Sequence, residues 1–343
     1  MSSTSSSSVH LKSGEMMTVE RLEAPCGSWG DRIVSFMYVR HPEYTNCSWH
    51  HNCRRVVAGD FAAVSRDVFF VGLVGGEIVG TTWYGTPLDT GEVGTFGRVI
   101  TAVEHRRKGI STVLSRMALE DFEELGGRAM HLGTSLNNPA RFVYESIGYR
   151  HYNFVEGNGT VMRAVLRGDY DDFERQYFAP GRPTSLRGLH WGDLARAEVL
   201  VNLPHWFVKD HSQRVFGHTP FEGQFFDLME GVDQGETGMA LTTDEQRLVG
   251  MAYTARTGAG GGVQDHVRVL EFVVHPHYAE AGAELLSVVL ARTAASRLLA
   301  YASALDVQKC ETLEETGFER EAVLPGVLQD AESEFDLYVY GRG

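Results

Sequence analysis

Four landmarks recur in the same order along this 343-residue chain, the second set roughly 160–175 residues after the first. Trp29-Gly30-Asp31 returns as Trp191-Gly192-Asp193, and Ile78-Val79-Gly80-Thr81 returns as Leu248-Val249-Gly250-Met251. Gly109 finds a counterpart in Gly282. Tyr144-Glu145-Ser146-Ile147-Gly148-Tyr149 finds one in Leu313-Glu314-Glu315-Thr316-Gly317-Phe318. One such match is what chance supplies; the ordered set implies a single plan used twice. The length suits two domains, and 43% hydrophobic residues can fill a core in each.

The coarse pattern is the same in both copies. Asp31 and Asp193 read as N-caps of a first helix. In the first copy, residues 68–74 and 78–84 read as a hairpin around Gly75-Gly76. A strand over 96–101, an amphipathic helix over 112–125, a strand over 129–134, a short helix over 139–147 and strands within 151–165 follow. The expected class is α+β, a mixed sheet flanked by helices in each of two tandem domains. The expected boundaries are a disordered serine-rich tail over 1–17, a first domain over 18–166, a polar linker over 167–186 holding Pro180 and Pro183, and a second domain over 187–343. Gly258-Ala259-Gly260-Gly261-Gly262 lies between two strand-like runs and reads as a hairpin connection rather than a phosphate loop.

Charge narrows the partners. A formal net charge of −14 disfavours nucleic acid and anionic membrane surfaces. It suits a cationic acceptor such as an amine, although solubility alone also explains an acidic surface. No apolar run approaches the ~20 residues of a membrane span, and the N-terminus has no apolar signal core. Four cysteines without a CxxC pair fit a reducing compartment, so a cytoplasmic protein is expected. His41, Cys47, His50, His51 and Cys53 cluster, but adjacent His50-His51 suit one ion poorly and no second ligand pair follows at finger spacing. No metal is expected.

The chemistry concentrates at Arg106-Arg107-Lys108-Gly109-Ile110-Ser111, between a strand and a helix. Backbone N–H groups and a helix dipole at such a turn, with three cations, make a receptor for a polyanion such as a pyrophosphate. The segment resembles the R-x-x-G-x-[GA] acyl-CoA signature of the GNAT acyltransferase superfamily, with Ser111 where a Gly or Ala is usual. Asn137-Asn138-Pro139-Ala140-Arg141-Phe142-Val143-Tyr144-Glu145-Ser146-Ile147-Gly148-Tyr149 resembles the downstream asparagine-to-tyrosine motif of the same superfamily. That resemblance implies acyl-CoA as donor, its pyrophosphate on the amides of residues 107–111 with Arg106 and Lys108 adding charge. It also implies that the pantetheine arm pairs with a strand edge at Val99, Ile100 and Thr101, whose N–H groups can serve an oxyanion. Asn137 or Asn138 can bond the pantetheine amides, or simply start a helix. Tyr144 is the expected general acid, a phenol that protonates the departing thiolate.

The base and the acceptor wall rest on weaker signals. Glu92, His50 and His51 are candidate bases in the first copy, and His205 and His211 in the second. An amine that is partly neutral at physiological pH needs no strong base. Trp49, Trp83, Tyr84 and Arg167 are candidate acceptor contacts, and Ala164 is a small residue that could widen the pocket. Residues 46–55 and 161–173 resemble the tandem-domain N-acyltransferases of teicoplanin-type glycopeptide antibiotic biosynthesis. That resemblance implies fatty-acyl transfer to the amine of a glucosamine on a bulky peptide scaffold. A tandem acetyltransferase acting on another small amine and a non-catalytic acyl-CoA sensor are the alternatives. In the second copy Ala279, Glu284 and Leu313 stand where Arg106, Ser111 and Tyr144 stand in the first, so only the first copy is expected to bind donor and catalyse.

Overall fold

The computed structural model describes residues 4–40, 48–155, 159–203, 221–256, 265–329 and 333–343. The chain divides into two compact units. One holds the residues up to Phe173 together with Trp191–Val199; the other holds Glu174–His190 and Leu200–Gly343.

The first unit is built on an eight-stranded sheet. Its strands are β1 (Thr4–His10), β2 (Met16–Glu23), β3 (Ser65–Val74), β4 (Glu77–Pro87), β5 (Val93–Thr101), β6 (Ala129–Ser135), β7 (Arg150–Val155) and β8 (Gly159–Val165). They lie in the order β1-β2-β3-β4-β5-β6-β8-β7, with β5 and β6 as the parallel pair and every other neighbour antiparallel. The helices are α1 (Trp29–Arg40), α2 (Ser48–Ala58), α3 (Ile110–Glu124) and α4 (Ala140–Ser146). Asp31 lies in the first turn of α1 rather than at its cap, where its charge still complements the helix dipole. Helix α3 buries Ile110, Leu114, Ala118, Leu119 and Phe122 in a core shared with Met17, Val68, Phe70 and Met130. Gly80 makes that approach possible: a Cβ there would sit 2.6 Å from Ile110 Cγ2.

The N-terminal residues depart from the sequence expectation. Thr4–His10 form β1, paired with Met16–Leu22, instead of a disordered tail. Serine composition reads as disorder, yet an edge strand needs only backbone partners on one side, and β2 supplies them. The linker region also departs. It contains α5 (Asp172–Tyr177) and the start of β9 (Thr184–Gly188), a strand of the second sheet. Trp191 stacks on Phe61 with ring centroids 4.3 Å apart. Arg196, on α6 (Leu194–Val201), is buried and bonds Asp193 at 3.1 Å and Thr90 at 3.3 Å, with Asp89 as a further ion-pair partner. A buried guanidinium needs such charged partners, and these tie Trp191–Val199 to the first unit.

The second unit has a seven-stranded sheet of β9, β10 (Gly238–Thr243), β11 (Leu248–Arg256), β12 (Val267–Val274), β13 (Arg297–Ser303), β14 (Glu319–Gln329) and β15 (Glu334–Arg342). The order β9-β10-β11-β12-β13-β15-β14, with β12 and β13 parallel, repeats the first sheet from β2 onward. Its helices are α7 (Phe221–Asp233), α8 (Gly282–Arg292) and α9 (Val307–Glu315). The glycine-rich stretch 258–262 falls outside the described residues.

One buried polar residue of the first sheet carries a stability prediction. His131, on β6, is 1% exposed, and neither ring nitrogen has a hydrogen-bond partner among the described residues. Burial, with Arg163 adding repulsion, pushes its imidazole down to about 3. The unfolded chain binds this proton below about pH 6.5 and the folded chain does not. Stability is therefore present above 6.5 and lost as pH falls toward 3, by up to about 1.4 kcal/mol per pH unit. Denaturant titrations at pH 7, 6 and 5 should show the gap between wild type and His131→Gln narrowing with acidification. A gap constant over that range would refute the assignment.

Candidate functional site

The site begins where β5 ends. A short 3-10 turn over Val103–His105 leads to Arg106 in extended conformation, then Arg107 at φ +64° and Gly109 at φ +88°. Gly109 occupies the N-cap of α3 without any side-chain cap bond, so the first N–H groups of the helix face outward. Only glycine takes that left-handed position without strain. Arg107 adopts it at a cost, the kind of strain that collects at binding turns. Arg106 and Arg107 are exposed. Lys108 is half-buried, its ammonium 2.7 Å from Glu15 Oε2 and 3.4 Å from His105 Nδ1. Lys108 first, then the Ser13 hydroxyl, holds the Glu15 carboxyl below its usual range.

Beside the turn the sheet opens. Strands β5 and β6 pair only from Val93 to Thr95, opposite Ala129 to His131. Beyond Thr95 the β6-facing edge of β5 has no strand partner among the described residues, and Val99, Ile100 and Thr101 lie along it. On the other side, the register against β4 slips between Gly97 and Ile100, placing an extra residue in β5. Arg98 sits in this bulge at φ +52°, its guanidinium carbon 3.8 Å over the Trp83 ring, and its carbonyl accepts the Thr81 hydroxyl at 3.0 Å. A bulge next to an open edge re-aims backbone N–H groups, which is what an amide-bearing ligand and an oxyanion both require. Sequence reasoning found the strand but not the bulge; Gly97 inside a strand was its signal.

Tyr144, on α4, packs against β5. Its ring meets Phe96, the first β5 residue past the paired stretch, edge-on at 6.0 Å, and meets Tyr149 at 6.1 Å. Tyr144 is 7% exposed, and burial raises its phenol well above the ordinary value. The phenol therefore stays protonated at neutral pH. Tyr149 is also pushed well up, by burial first and then by Tyr144 and Glu198, and its hydroxyl has no hydrogen-bond partner among the described residues. Asn138 Oδ1 accepts the Ala140 N–H at 3.0 Å and so starts α4. Asn137 and Asn138 are both exposed.

The other expected site residues have varied surroundings. Glu92 precedes β5 at the end away from the turn, about 30 Å along the strand, and pairs with Arg128 at 2.6 Å. Arg167 donates to the Glu123 carbonyl at the C-terminal end of α3, opposite Gly109. Ala164 is buried in the main core and lies opposite Met130. Trp83 is buried beneath Arg98 and gives its indole N–H to Asp67 at 3.0 Å. Tyr84 is buried and donates to Asp121, which Arg21 also grips at 2.6 and 2.9 Å. His51 is exposed on α2. The side chains of Trp49 and His50, and the whole of His205 and His211, lie outside the described residues.

The corresponding turn of the second unit is built differently. Gly282 has helical backbone, φ −62° and ψ −45°, rather than a left-handed turn. Phe178 stacks on His275 at 4.2 Å, its carbonyl lies 2.8 Å from His277 Nδ1, and the Ala179 carbonyl accepts the Tyr278 hydroxyl. The chain itself thus covers this turn. Strands β12 and β13 pair up to Leu270, and the next residue, Glu271, is buried in an ion pair with Lys309 of α9. Burial pushes the Glu271 carboxyl up while Lys309 opposes it. The β11–β12 register runs without a bulge, and Leu313 is buried at the place equivalent to Tyr144.

Residues 34–149 match the model of the acetyltransferase (GNAT) family. This segment lies inside the first unit and spans roughly a third of the chain. No curated protein matches the chain in sequence. Among solved structures, the chain is similar to a GNAT superfamily phosphinothricin acetyltransferase from Sinorhizobium meliloti in complex with acetyl-CoA. That match has 13% identity over 46% of this chain and 87% of that one, with a TM-score of 0.40. It is similar to a ribosomal-protein-alanine N-acetyltransferase from Brucella melitensis at 19% identity, over 46% of this chain and 98% of that one, TM-score 0.38. A GNAT family acetyltransferase from Streptococcus pneumoniae matches at 17% identity, over 47% and 98%, TM-score 0.38.

Proposed function

We propose that the first unit, whose residues 34–149 match the GNAT model, is an acyl-CoA-dependent N-acyltransferase. The observation that carries this is one continuous device: an open, bulged β5 edge running into a left-handed glycine turn, with Tyr144 packed on Phe96 of the same strand. The turn amides from Arg107 to Ser111 hold the pyrophosphate, with charge from Arg106, Arg107 and Lys108. The pantetheine amides pair with Val99, Ile100 and Thr101 as an added strand. A neutral amine then attacks the thioester carbonyl, forming the C–N bond while N–H groups at the β5 bulge meet the oxyanion. When the C–S bond breaks, the thiolate takes the Tyr144 proton; the proton lost by the amine passes to solvent, which restores the phenol.

The second unit, by this reading, binds no donor. Its helical Gly282, the contacts of Phe178 and Ala179 over its turn and the buried Glu271–Lys309 pair beside β12 replace the amide cradle of the first unit. Its role is to shape the acceptor side or support the first unit. The resemblance of residues 46–55 and 161–173 to teicoplanin-type N-acyltransferases extends the proposal to a fatty-acyl group moved onto an aminosugar of a glycopeptide scaffold. The acidic net charge of −14 suits an ammonium-bearing acceptor. Thioester consumption with acetyl-, octanoyl- and decanoyl-CoA against free glucosamine and glucosaminyl glycopeptides tests both levels. Turnover only with long donors and the glycopeptide is expected. Turnover of acetyl-CoA on small amines would replace the acceptor reading, and binding without any turnover would replace the enzyme by a sensor.

A further inference from the structure

The β1–β2 hairpin bends onto the basic turn. Its tip runs from Leu11 to Glu15, closed by the Leu11 N–H to Glu15 carbonyl bond at 2.9 Å. Lys12 N–H donates to the Lys108 carbonyl at 3.3 Å, so the tip is fastened to the backbone of the turn. Lys12 Cγ, Cδ and Cε each pass 3.6 Å from the point a Cβ would occupy on Gly109. The ammonium, one bond further, is within about 5 Å of that point. Lys12 is exposed, so its charge stands at the rim beside the α3 N-terminus rather than being spent in the core. Glu15, on the same tip, holds the Lys108 ammonium at 2.7 Å and also accepts the Ser13 hydroxyl at 2.8 Å.

We propose that this hairpin is the second wall of the donor's phosphate site. Lys12 supplies a cation to a phosphate of coenzyme A, and Glu15 is an internal competitor that holds Lys108 until that phosphate displaces it. The inference rests on the acyl-CoA reading above. The physical case is charge placement. Lys12 adds a positive charge where the turn amides and the helix dipole already favour an anion. Glu15 puts the one carboxylate of the tip on a cation of the same turn. A carboxylate in that position repels an incoming phosphate and occupies its partner, and a solvent-facing pair exchanges readily. Two residues three apart on one hairpin therefore act with opposite sign.

Calorimetric titration of the full-length protein with coenzyme A and with 3′-dephospho-coenzyme A tests this. Wild-type binding of coenzyme A tests the acyl-CoA reading itself, and the variants test the hairpin. Lys12→Gln should weaken binding about fivefold and Lys12→Arg should retain it, whereas Glu15→Gln should tighten it severalfold. Both shifts should shrink in 0.5 M salt, where screening shortens the reach of each charge to about 4 Å. A Lys12→Gln loss confined to coenzyme A assigns Lys12 to the 3′-phosphate; equal losses with both ligands assign it to the pyrophosphate. Unchanged affinity in both neutral variants overturns the proposal. So does weakening in both, because a hairpin that merely props the turn would lose affinity whichever residue is changed.

Discussion

Replacing Tyr144 by phenylalanine is expected to lower kcat about 100-fold or more while leaving coenzyme A affinity within about twofold. The substitution removes one hydroxyl and keeps the ring, so the edge-on contacts with Phe96 at 6.0 Å and Tyr149 at 6.1 Å survive. What disappears is the hydroxyl proposed to protonate the departing thiolate. Burial raises the phenol above its ordinary value, so Tyr144 remains a donor across the whole physiological range. The pH–rate profile of the wild type should accordingly show no falling limb from phenol ionisation up to about pH 9. A Tyr144→Phe enzyme with unchanged kcat would remove the general-acid assignment and leave Tyr144 as packing.

Gly109→Val is the second large effect, and it acts on binding rather than on chemistry. At φ +88° a β-branched residue is strained, and its side chain would press toward Lys12, whose carbons lie 3.6 Å from the Cβ position. Strain of about 1–3 kcal/mol is relieved by turning the peptide away from the left-handed region. That movement redirects the N–H groups proposed to hold the pyrophosphate. Coenzyme A affinity should fall by about 10- to 100-fold, read by titration, with the far-ultraviolet spectrum of the protein preserved. Retained affinity would mean that the turn amides do not hold the donor.

The parts of this site that were legible in the sequence are local. Residues 106–111 carry their own strand, turn and helix signals, and residues 139–149 carry a helix start, a tyrosine and a left-handed Gly148, so each can be read without a partner. The bulge at Arg98 was not legible, because it is defined against β4, a different strand. The side on which Trp83 and Ala164 lie was not legible for a related reason. Strand β4 is buried on both faces and β8 nearly so, and such strands give no alternation from which to tell the side that faces a site. Glu92 and Arg167 were plausible as charges, but Glu92 is ion-paired with Arg128 and Arg167 donates to the Glu123 backbone carbonyl, both away from the turn. The serine-rich N-terminus was misread because composition reports what a segment can bury, not which edge it can pair with. With that strand came Lys12 and Glu15, which no motif announced.

Both units share one strand order, yet the account holds that one of them takes the donor. The left-handed Gly109 and the helical Gly282 are the sharpest difference between them. Titration of the full-length chain with coenzyme A, alone and as Gly109→Val and Gly282→Ala, puts the claim to direct test. One site per chain is expected, lost or strongly weakened by Gly109→Val and untouched by Gly282→Ala. Two sites per chain, or a site that survives Gly109→Val and fails with Gly282→Ala, would contradict it.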